Sequence, residues 1–458
     1  MGERIEYDSV GSIGVPEDAY YGIQSLRAFR NFHITGRTLS SEFIVSLAQI
    51  KKAAAVTNYE CGNIDYVLSK AIVKACDEII NGRFHGQFIV DPIQGGAGTS
   101  ANMNANEVIA NRACELLGGA KGSYVPVHPN DHVNMSQSTN DVFPTAGKLT
   151  ALKLIPELVF KLKRLANALD GKSREFAAVV KMGRTQLQDA VPISLGQEFA
   201  AFSCAVKRDA KRLVKVTDEL RTVNMGGTAV GTSVNASPEY VAGIAENLSG
   251  VAGTEVVQAE NLIDCTQNLD CFAFVSGALK TCAVNLSKIS NDLRLLSSGP
   301  RTGIMEIALP AVQNGSSIMP GKVNPTQCEA VTMVAAQVMG NDCAIGIAAS
   351  QGNFELNVFM PVIAYDYLQS VRLLADAICS FDERCASGIV ANRARMRHNL
   401  HDSLMLVTCL NPCIGYDNAA RVAKKAFAES TSLRAACVSL GLLTPERFDE
   451  VFKPEEMV

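Results

Sequence analysis

Long segments without helix breakers constrain this fold more than any other feature of the sequence. Residues 197–223 contain neither Gly nor Pro, and a helix of about 27 residues would span roughly 40 Å. The segments that follow Asp270, Pro325 and Pro361 also carry apolar residues at helical spacing, on more than one face. Helices of this kind are buried on most sides. We therefore predict a mainly α protein built around a central bundle of about five long helices.

Two shorter segments carry clear helix boundary signals. Residues 65–82 show helical periodicity and end in Asn-Gly, which favours a stop. Ser237 is followed by Pro238, the pattern of an N-cap followed by the first helical residue. We predict that helices begin and end at these positions.

The chain divides into three parts that differ in how often Gly, Asn and Pro interrupt the helical pattern. With 458 residues it is too long for one compact core. Residues 1–141 are interrupted by Gly, Asn and Pro, whereas residues 142–395 contain the long apolar segments. We predict an N-terminal mainly helical domain over 1–141, a central long-helix domain over 142–395 and a small C-terminal helical domain over 396–458.

Charge and composition exclude several classes of function. The formal net charge of -4 argues against binding nucleic acid through phosphate contacts. No uncharged apolar run reaches the roughly 18 residues of a membrane span, and the acidic start lacks the apolar core of a signal peptide. The 14 Cys residues are scattered singly, which is typical of reduced thiols. We expect a cytoplasmic protein that binds neither nucleic acid nor membrane.

Three polar loops interrupt the apolar scaffold. They are residues 94–107 with a related stretch at 132–141, residues 183–192, and residues 315–325, which read GSSIMPGKVNP. One cation, Lys322, accompanies a set of neutral hydrogen-bond donors: Thr99, Ser100, Asn102, Ser138, Thr139, Asn140, Thr185, Gln186, Ser316, Ser317 and Asn324. Carboxylate oxygens only accept hydrogen bonds. The set therefore predicts a site for a small dicarboxylate.

Other roles for these polar stretches are a structural turn, a phosphate-binding loop, a nucleophile elbow and a zinc site. Asn, Ser and Gly are common in turns and caps, so any single loop can be structural. The QGGAGTS stretch lacks the G-K-[ST] of a phosphate-binding loop, and no G-x-S-x-G elbow is present. His128 and His132 have the spacing of a zinc pair, but Pro129 lies between them. We predict no metal site.

The third loop has the composition of a mobile lid. Gly315 and Gly321 permit unusual backbone conformations, while Pro320 and Pro325 restrict the path of the chain. A serine that removes a proton from carbon needs a lowered pKa. The positive charge of Lys322 and nearby backbone N–H groups can supply it.

These three loops closely resemble those of the aspartase/fumarase superfamily, and the similarity extends along almost the whole chain. GSSIMPGKVNP is a highly specific signature of that family. The resemblance implies a homotetramer of mainly helical, three-domain subunits, with active sites shared between three subunits. It implies an anti elimination that yields fumarate or a fumarate-like product and requires no organic cofactor. Activation by a divalent metal is compatible with it.

The resemblance also implies a role for individual residues. Ser316 corresponds to the general base that removes the Cβ proton, and Lys322 and Asn324 to the groups that stabilise the aci-carboxylate intermediate. Glu329 resembles a family carboxylate that contacts the site residues and does not bind the substrate. The residues that correspond to substrate-binding positions are Thr99, Ser138, Thr139, Asn140, Thr185, Gln186 and Ser317.

Two branches of the superfamily remain open. DPIQGGAGTSANMNANE, SQSTND and GRTQLQDAVP resemble aspartate ammonia-lyases, whereas GNFELNVF and SLMLVTCLNPCIGYD resemble class II fumarases. Fumarases typically have His where this chain has Gln186, and Gln cannot transfer a proton near pH 7. An ammonium leaving group already carries its proton, so we expect an ammonia-lyase. A fumarase, another fumarate-forming lyase and a non-enzymatic helical scaffold are the alternatives.

Overall fold

The protein is mainly α-helical. The structure, a computed structural model, describes residues 2–458, and 63% of the chain is helical, which confirms the predicted fold class. The helices are α1 (Ile23–Asn31), α2 (Ser41–Glu60), α3 (Tyr66–Ile80), α4 (Thr99–Leu116), α5 (Thr139–Glu175), α6 (Leu195–Thr217), α7 (Pro238–Ala252), α8 (Leu262–Gln267), α9 (Asp270–Leu296), α10 (Thr326–Ala349), α11 (Met360–Arg384), α12 (Arg393–Asp402), α13 (Asn411–Ile414), α14 (Tyr416–Ala428), α15 (Leu433–Ser439) and α16 (Pro445–Val451).

The β-structure is limited to small two-stranded pairings. Three pairs are antiparallel and one, β5 with β6, is parallel. The strands are β1 (Glu3–Asp8), β2 (Gly11–Pro16), β3 (Val180–Thr185), β4 (Gln188–Ser194), β5 (Thr222–Val223), β6 (Val257–Gln258), β7 (Ile307–Ala308) and β8 (Val390–Ala391).

Within residues 2–458, five helices have more than 20 residues, about twice the average of about 11–12. They are α5, α6, α9, α10 and α11, with 37, 23, 27, 24 and 25 residues. The helix predicted over 197–223 is shorter than expected and ends at Thr217. The strand β5 follows, and its Thr222 and Val223 pair with β6. Cross-strand pairing of two β-branched residues therefore overrides the helical pattern at this end.

Helix starts lie at or next to the predicted positions. Asp65 and Ser237 each accept backbone N–H groups of the first turn, at α3 and α7 respectively. The helices α10 and α11 begin at Thr326 and Met360, each within one residue of the predicted proline. Short side chains at N-caps satisfy amides that the helix itself leaves unpaired, which is why these starts are readable from sequence.

The chain forms two compact units, each assembled from three stretches. The first contains Met1–Val159, Lys211–Thr281 and Ala336–Leu374, and the second contains Phe160–Ala210, Cys282–Ala335 and Ala375–Val458. The domain boundaries predicted at 141 and 395 stay a prediction, because these units are not continuous along the sequence.

In the first unit, α2 packs against α3, α4 and α7. Most of α2 is buried, including Leu47, Ile50 and Ala53. In the second unit, the hairpin of β3 and β4 packs against the C-terminal helices, where Met182 joins a cluster with Leu400 and Leu410.

The helix α10 is unusually apolar for a helix that is largely exposed in a single chain. It is long and apolar enough to cross a membrane by length and composition alone, yet only 28% of its most apolar window is buried. Glu329 and Asp342 interrupt its apolar run. Its exposed residues include Met333 and Ile347. An apolar surface of this kind is typical of a contact with another molecule.

Candidate active site

The first predicted loop leads into the N-terminus of α4. Gly96, Ala97 and Gly98 all have positive φ, of 76°, 55° and 92°, and this places Thr99 at the first helical position. A Cβ at Gly98 would lie 2.3 Å from the Phe143 ring, so the close approach requires glycine. Thr99 is exposed at the N-terminus of α4. This end of a helix carries a partial positive charge. This end is suited to a carboxylate.

The related stretch, Ser138–Asn140, begins α5. The hydroxyl of Ser138 accepts the backbone N–H of Asn140 at 3.2 Å, and the Asn140 side chain donates to the Ala229 carbonyl at 2.7 Å. Asn102 of α4 donates to Thr139 Oγ1 at 3.1 Å. The structure therefore brings the first loop and its relative together within the first unit.

A buried carboxylate, Asp141, holds the stretch Ser138–Asn140 in place. The sequence alone predicted no role for this residue. Asp141 is fully buried and accepts the backbone N–H groups of Ser138, Gly226 and Thr228, at 2.9, 3.2 and 3.0 Å. Burial raises the pKa of Asp141 to about 6, while these hydrogen bonds oppose the rise. The only sequence signal was the position of Asp141 at the end of the polar stretch.

The second predicted loop is an antiparallel hairpin. Thr185 pairs with Gln188, so Gln186 and Leu187 alone form the turn. Both have positive φ, of 55° and 63°, in a turn type that normally uses Asn or Gly. This conformation costs roughly 1–2 kcal/mol per residue for side chains of other types. Strain of this kind is common at functional sites, and it holds the Gln186 side chain at the exposed tip.

A buried ionic network supports the base of this hairpin. Arg184 donates two hydrogen bonds to Glu306, at 3.0 and 2.8 Å, and Lys181 lies 3.1 Å from the same carboxylate. Burial alone would raise the pKa of Glu306, but the Arg184 hydrogen bonds and the Lys181 charge hold it below its usual value. Asn399 of α12 also donates to Glu306. No sequence pattern indicated this partner, because Glu306 lies in an irregular segment.

The third predicted loop is closed at its base by one backbone hydrogen bond and one side-chain hydrogen bond. The Gly315 N–H donates to the Lys322 carbonyl at 2.8 Å, and the Asn324 side chain donates to the Gly315 carbonyl at 2.7 Å. A Cβ at Gly315 would lie 2.7 Å from the Lys322 oxygen. Only glycine fits this position. Asn324 keeps one amide hydrogen and its oxygen for other partners.

Within this loop, the Ser316 hydroxyl accepts two backbone N–H groups. Ile318 N lies 3.2 Å and Met319 N lies 3.0 Å from Ser316 Oγ. Hydrogen bonds donated to an oxygen stabilise its anionic form. This geometry favours an alkoxide on Ser316, as a base that removes a proton from carbon requires.

The remaining predicted residues of the second unit lie around this loop. Ser317 and Lys322 are exposed, and Glu329 is half-buried in the first turn of α10. Thr99, Ser138, Thr139 and Asn140 belong to the first unit instead. Their assignment to one site stays a prediction.

The two histidines with zinc-pair spacing contribute to a local turn. Nδ1 of His128 accepts the backbone N–H groups of Asn130 and Asp131, and Nδ1 of His132 accepts that of His128. Within residues 2–458, no group of three or more His, Cys, Asp or Glu side chains has the geometry to hold a metal ion.

Comparison with known proteins identifies the family of this chain. A sequence model of the lyase family matches residues 11–340, and a model of the fumarase C C-terminus matches residues 406–458. The chain belongs to the aspartase/fumarase superfamily of lyases.

The particular relatives divide between two activities. An aspartate ammonia-lyase of Bacillus sp is 51% identical over 454 residues, covering 99% of this chain and 97% of the relative. A class II fumarate hydratase of Neisseria meningitidis is 50% identical over 459 residues, covering 100% and 99%. The crystal structure of a class II fumarase from Schistosoma mansoni has a TM-score of 0.96 at 41% identity, covering 100% and 99%. Overall similarity therefore identifies a lyase without deciding its leaving group.

Proposed function

We propose that the protein is an aspartate ammonia-lyase, which eliminates ammonia reversibly from L-aspartate to give fumarate. The observation that carries this proposal is Gln186 at the strained tip of the β3–β4 hairpin. A neutral amide cannot deliver a proton to a departing hydroxide near pH 7. Ammonia leaves as a group that already carries its proton, so the amide only has to bind it.

The proposed reaction begins at Ser316. Its alkoxide removes the Cβ proton of L-aspartate, and the electron pair of that C–H bond moves into the adjacent carboxylate. Lys322 and Asn324 stabilise the resulting aci-carboxylate dianion, because its additional negative charge develops close to their donors. The electron pair then forms the C–C double bond as the C–N bond breaks and ammonia leaves from the opposite face.

Substrate orientation depends on neutral donors in this proposal. The two carboxylates bind Thr99, Ser138, Thr139, Asn140, Thr185 and Ser317. Glu329 supports the loop from the start of α10. The exposed third loop closes over bound substrate, and no organic cofactor takes part. Exclusion of water by closure strengthens each of these polar contacts.

Assembly completes the site in this proposal. The apolar surface of α10, with Met333 and Ile347 exposed, is buried against further copies of the chain in a homotetramer. Three subunits then contribute residues to each site, which unites the predicted residues of the two units. We place the enzyme in the cytoplasm.

A class II fumarase is the second candidate. It is favoured by the stretches GNFELNVF and SLMLVTCLNPCIGYD, and by relatives of nearly equal identity. Its reaction would need a proton donor other than Gln186 at the leaving oxygen.

The reverse reaction separates the two candidates. Purified protein is given fumarate with and without excess ammonium chloride, with sodium chloride as the ionic-strength control, and fumarate absorbance is followed. An ammonia-lyase consumes fumarate only when ammonium is present, whereas a fumarase hydrates it in either solution. Equal consumption in both solutions would reject the proposed function.

A further inference from the structure

The helix α2 carries a lysine that is completely enclosed. Lys51 is 0% exposed, although burial of an ammonium group is unfavourable unless its partners compensate. Its Nζ donates to Asn134 Oδ1 at 2.9 Å and to Gln137 Oε1 at 3.0 Å. Both acceptors are neutral amide oxygens, so these contacts leave the positive charge without a directly bonded counter-charge.

Hydrogen bonds connect this lysine to the predicted substrate-binding stretch. Asn134 Oδ1 also accepts from Asn102 at 3.1 Å, and the same Asn102 amide donates to Thr139 Oγ1 at 3.1 Å. Gln137 immediately precedes Ser138 and donates its side-chain N–H groups to the carbonyls of the same turn. Lys51 is therefore connected to both Ser138 and Thr139.

The charged and titratable groups that act on Lys51 come from α3 and α5. Asp141 of α5 is also fully buried and attracts the ammonium electrostatically, whereas burial raises the pKa of the Cys76 thiol of α3 and keeps it neutral near pH 7. Burial of Lys51 outweighs this attraction and lowers its pKa to about 7. Asp141 accepts the Ser138 N–H. The stretch Ser138–Asn140 is thus bonded directly to the buried Asp141. Side-chain amides connect the same stretch to the buried Lys51.

We propose that Lys51 is a positioning residue of the active site, which holds Asn134 and Gln137 so that Ser138 and Thr139 face a substrate carboxylate. This inference rests on the proposed dicarboxylate function of the site. A neutral side chain could fill the same space without the cost of burying charge. A negative ligand that binds nearby adds to the attraction of Asp141 and so favours the charged form of Lys51.

The test compares three variants with the wild type. Lys51→Met removes the charge and keeps most of the volume, and Lys51→Arg keeps the charge. Lys153→Met is the matched control, since Lys153 bonds to Ser46 and Gln49 of the same helix α2. Each variant is assayed for KM and kcat with whichever of L-aspartate or L-malate the wild type converts, and for inhibition by succinate, a dicarboxylate without a leaving group.

We expect Lys51→Met to raise KM and the succinate inhibition constant by about 10-fold or more, with a smaller effect on kcat. Lys51→Arg should recover part of the binding, and Lys153→Met should leave both constants within about 2-fold. Unchanged KM and inhibition in folded Lys51→Met would overturn the proposal, as would an equal effect of Lys153→Met.

A second variant keeps the test decisive if Lys51→Met does not fold. Gln137→Leu removes one acceptor of Lys51 and leaves the lysine in place, and it should weaken succinate inhibition in the same direction. Normal inhibition of Gln137→Leu would then overturn the proposal. Failure of the proposed function gives a different result, because the wild type itself would neither convert a four-carbon dicarboxylate nor be inhibited by succinate.

Discussion

At the scale of single residues, the structure adds an observation about Ser316, the predicted base. The resemblance of its loop to the aspartase/fumarase signature predicts this role for the serine. The structure adds the two backbone N–H groups of Ile318 and Met319, which no residue pattern specifies because every residue except proline carries one. The assignment of Ser316 as the base stays a prediction, and the two backbone donors to its hydroxyl could not be predicted from sequence.

Ser316→Ala should reduce kcat by at least about 1,000-fold, since it removes the proton acceptor and leaves the backbone donors in place. KM should change little, because the carboxylate contacts remain. Steady-state kinetics of fumarate formation measure this effect. Ser317→Ala is the neighbouring control and should raise KM without abolishing turnover. Near wild-type kcat in Ser316→Ala would show that another group is the base.

Lys322→Met should raise KM and lower kcat together, because both the substrate and the intermediate are anionic. Lys322→Arg should restore little, since a planar guanidinium does not replace a compact ammonium. Both effects are read from the dependence of initial rate on substrate concentration. Normal kinetics in either variant would remove Lys322 from the site.

At the scale of secondary-structure elements, the sequence predicts helix starts better than turns. The predicted N-cap Ser237 acts locally and is confirmed, and the helix predicted from residue 65 starts there with Asp65 as its cap. The hairpin of β3 and β4 was interpreted as a loop, because Gln186 and Leu187 are unusual residues for a turn with positive φ. Below the turn, Arg184 of β3 bonds to Glu306, a partner that is distant in sequence and that no local pattern indicates.

The third loop provides a test at this scale. Gly315→Ala places a Cβ 2.7 Å from the Lys322 carbonyl and close to Asn324, so the base of the loop must open. We expect kcat to fall at least about 10-fold, while the thermal unfolding midpoint changes by less than about 4 °C because the loop is largely exposed. Gly250→Ala on α7, with open space around the new Cβ, should keep full activity. Full activity of Gly315→Ala would argue against a closed loop in catalysis.

At the scale of the whole molecule, the exposed surface of α10 is the feature that a single chain does not explain. The apolar pattern of this helix predicted burial, yet Met333 is 70% exposed. Sequence patterning reports which surfaces must be covered, but it does not distinguish cover by the same chain from cover by another. The predicted site residues lie in two units of one chain. The sequence likewise does not distinguish a site built within one chain from a site shared between chains.

We expect a tetramer of about 196 kDa, four times the 48.9 kDa chain. Met333→Lys should shift the protein towards smaller species in analytical ultracentrifugation and reduce activity in parallel, because a charge would be buried in the contact. Tyr416→Lys, at a position 77% exposed on α14, is the control and should remain tetrameric. A fully active wild-type monomer would exclude active sites shared between subunits.

The leaving group tests the central claim most directly. Purified enzyme is given L-aspartate and L-malate in parallel at equal concentrations near pH 8, and fumarate formation is followed by ultraviolet absorbance. We predict that kcat/KM for L-aspartate exceeds that for L-malate by at least about 100-fold, or roughly 2.7 kcal/mol of transition-state discrimination. Rapid turnover of L-malate without activity on L-aspartate would contradict the account, and would mean that Gln186 does not determine the leaving group.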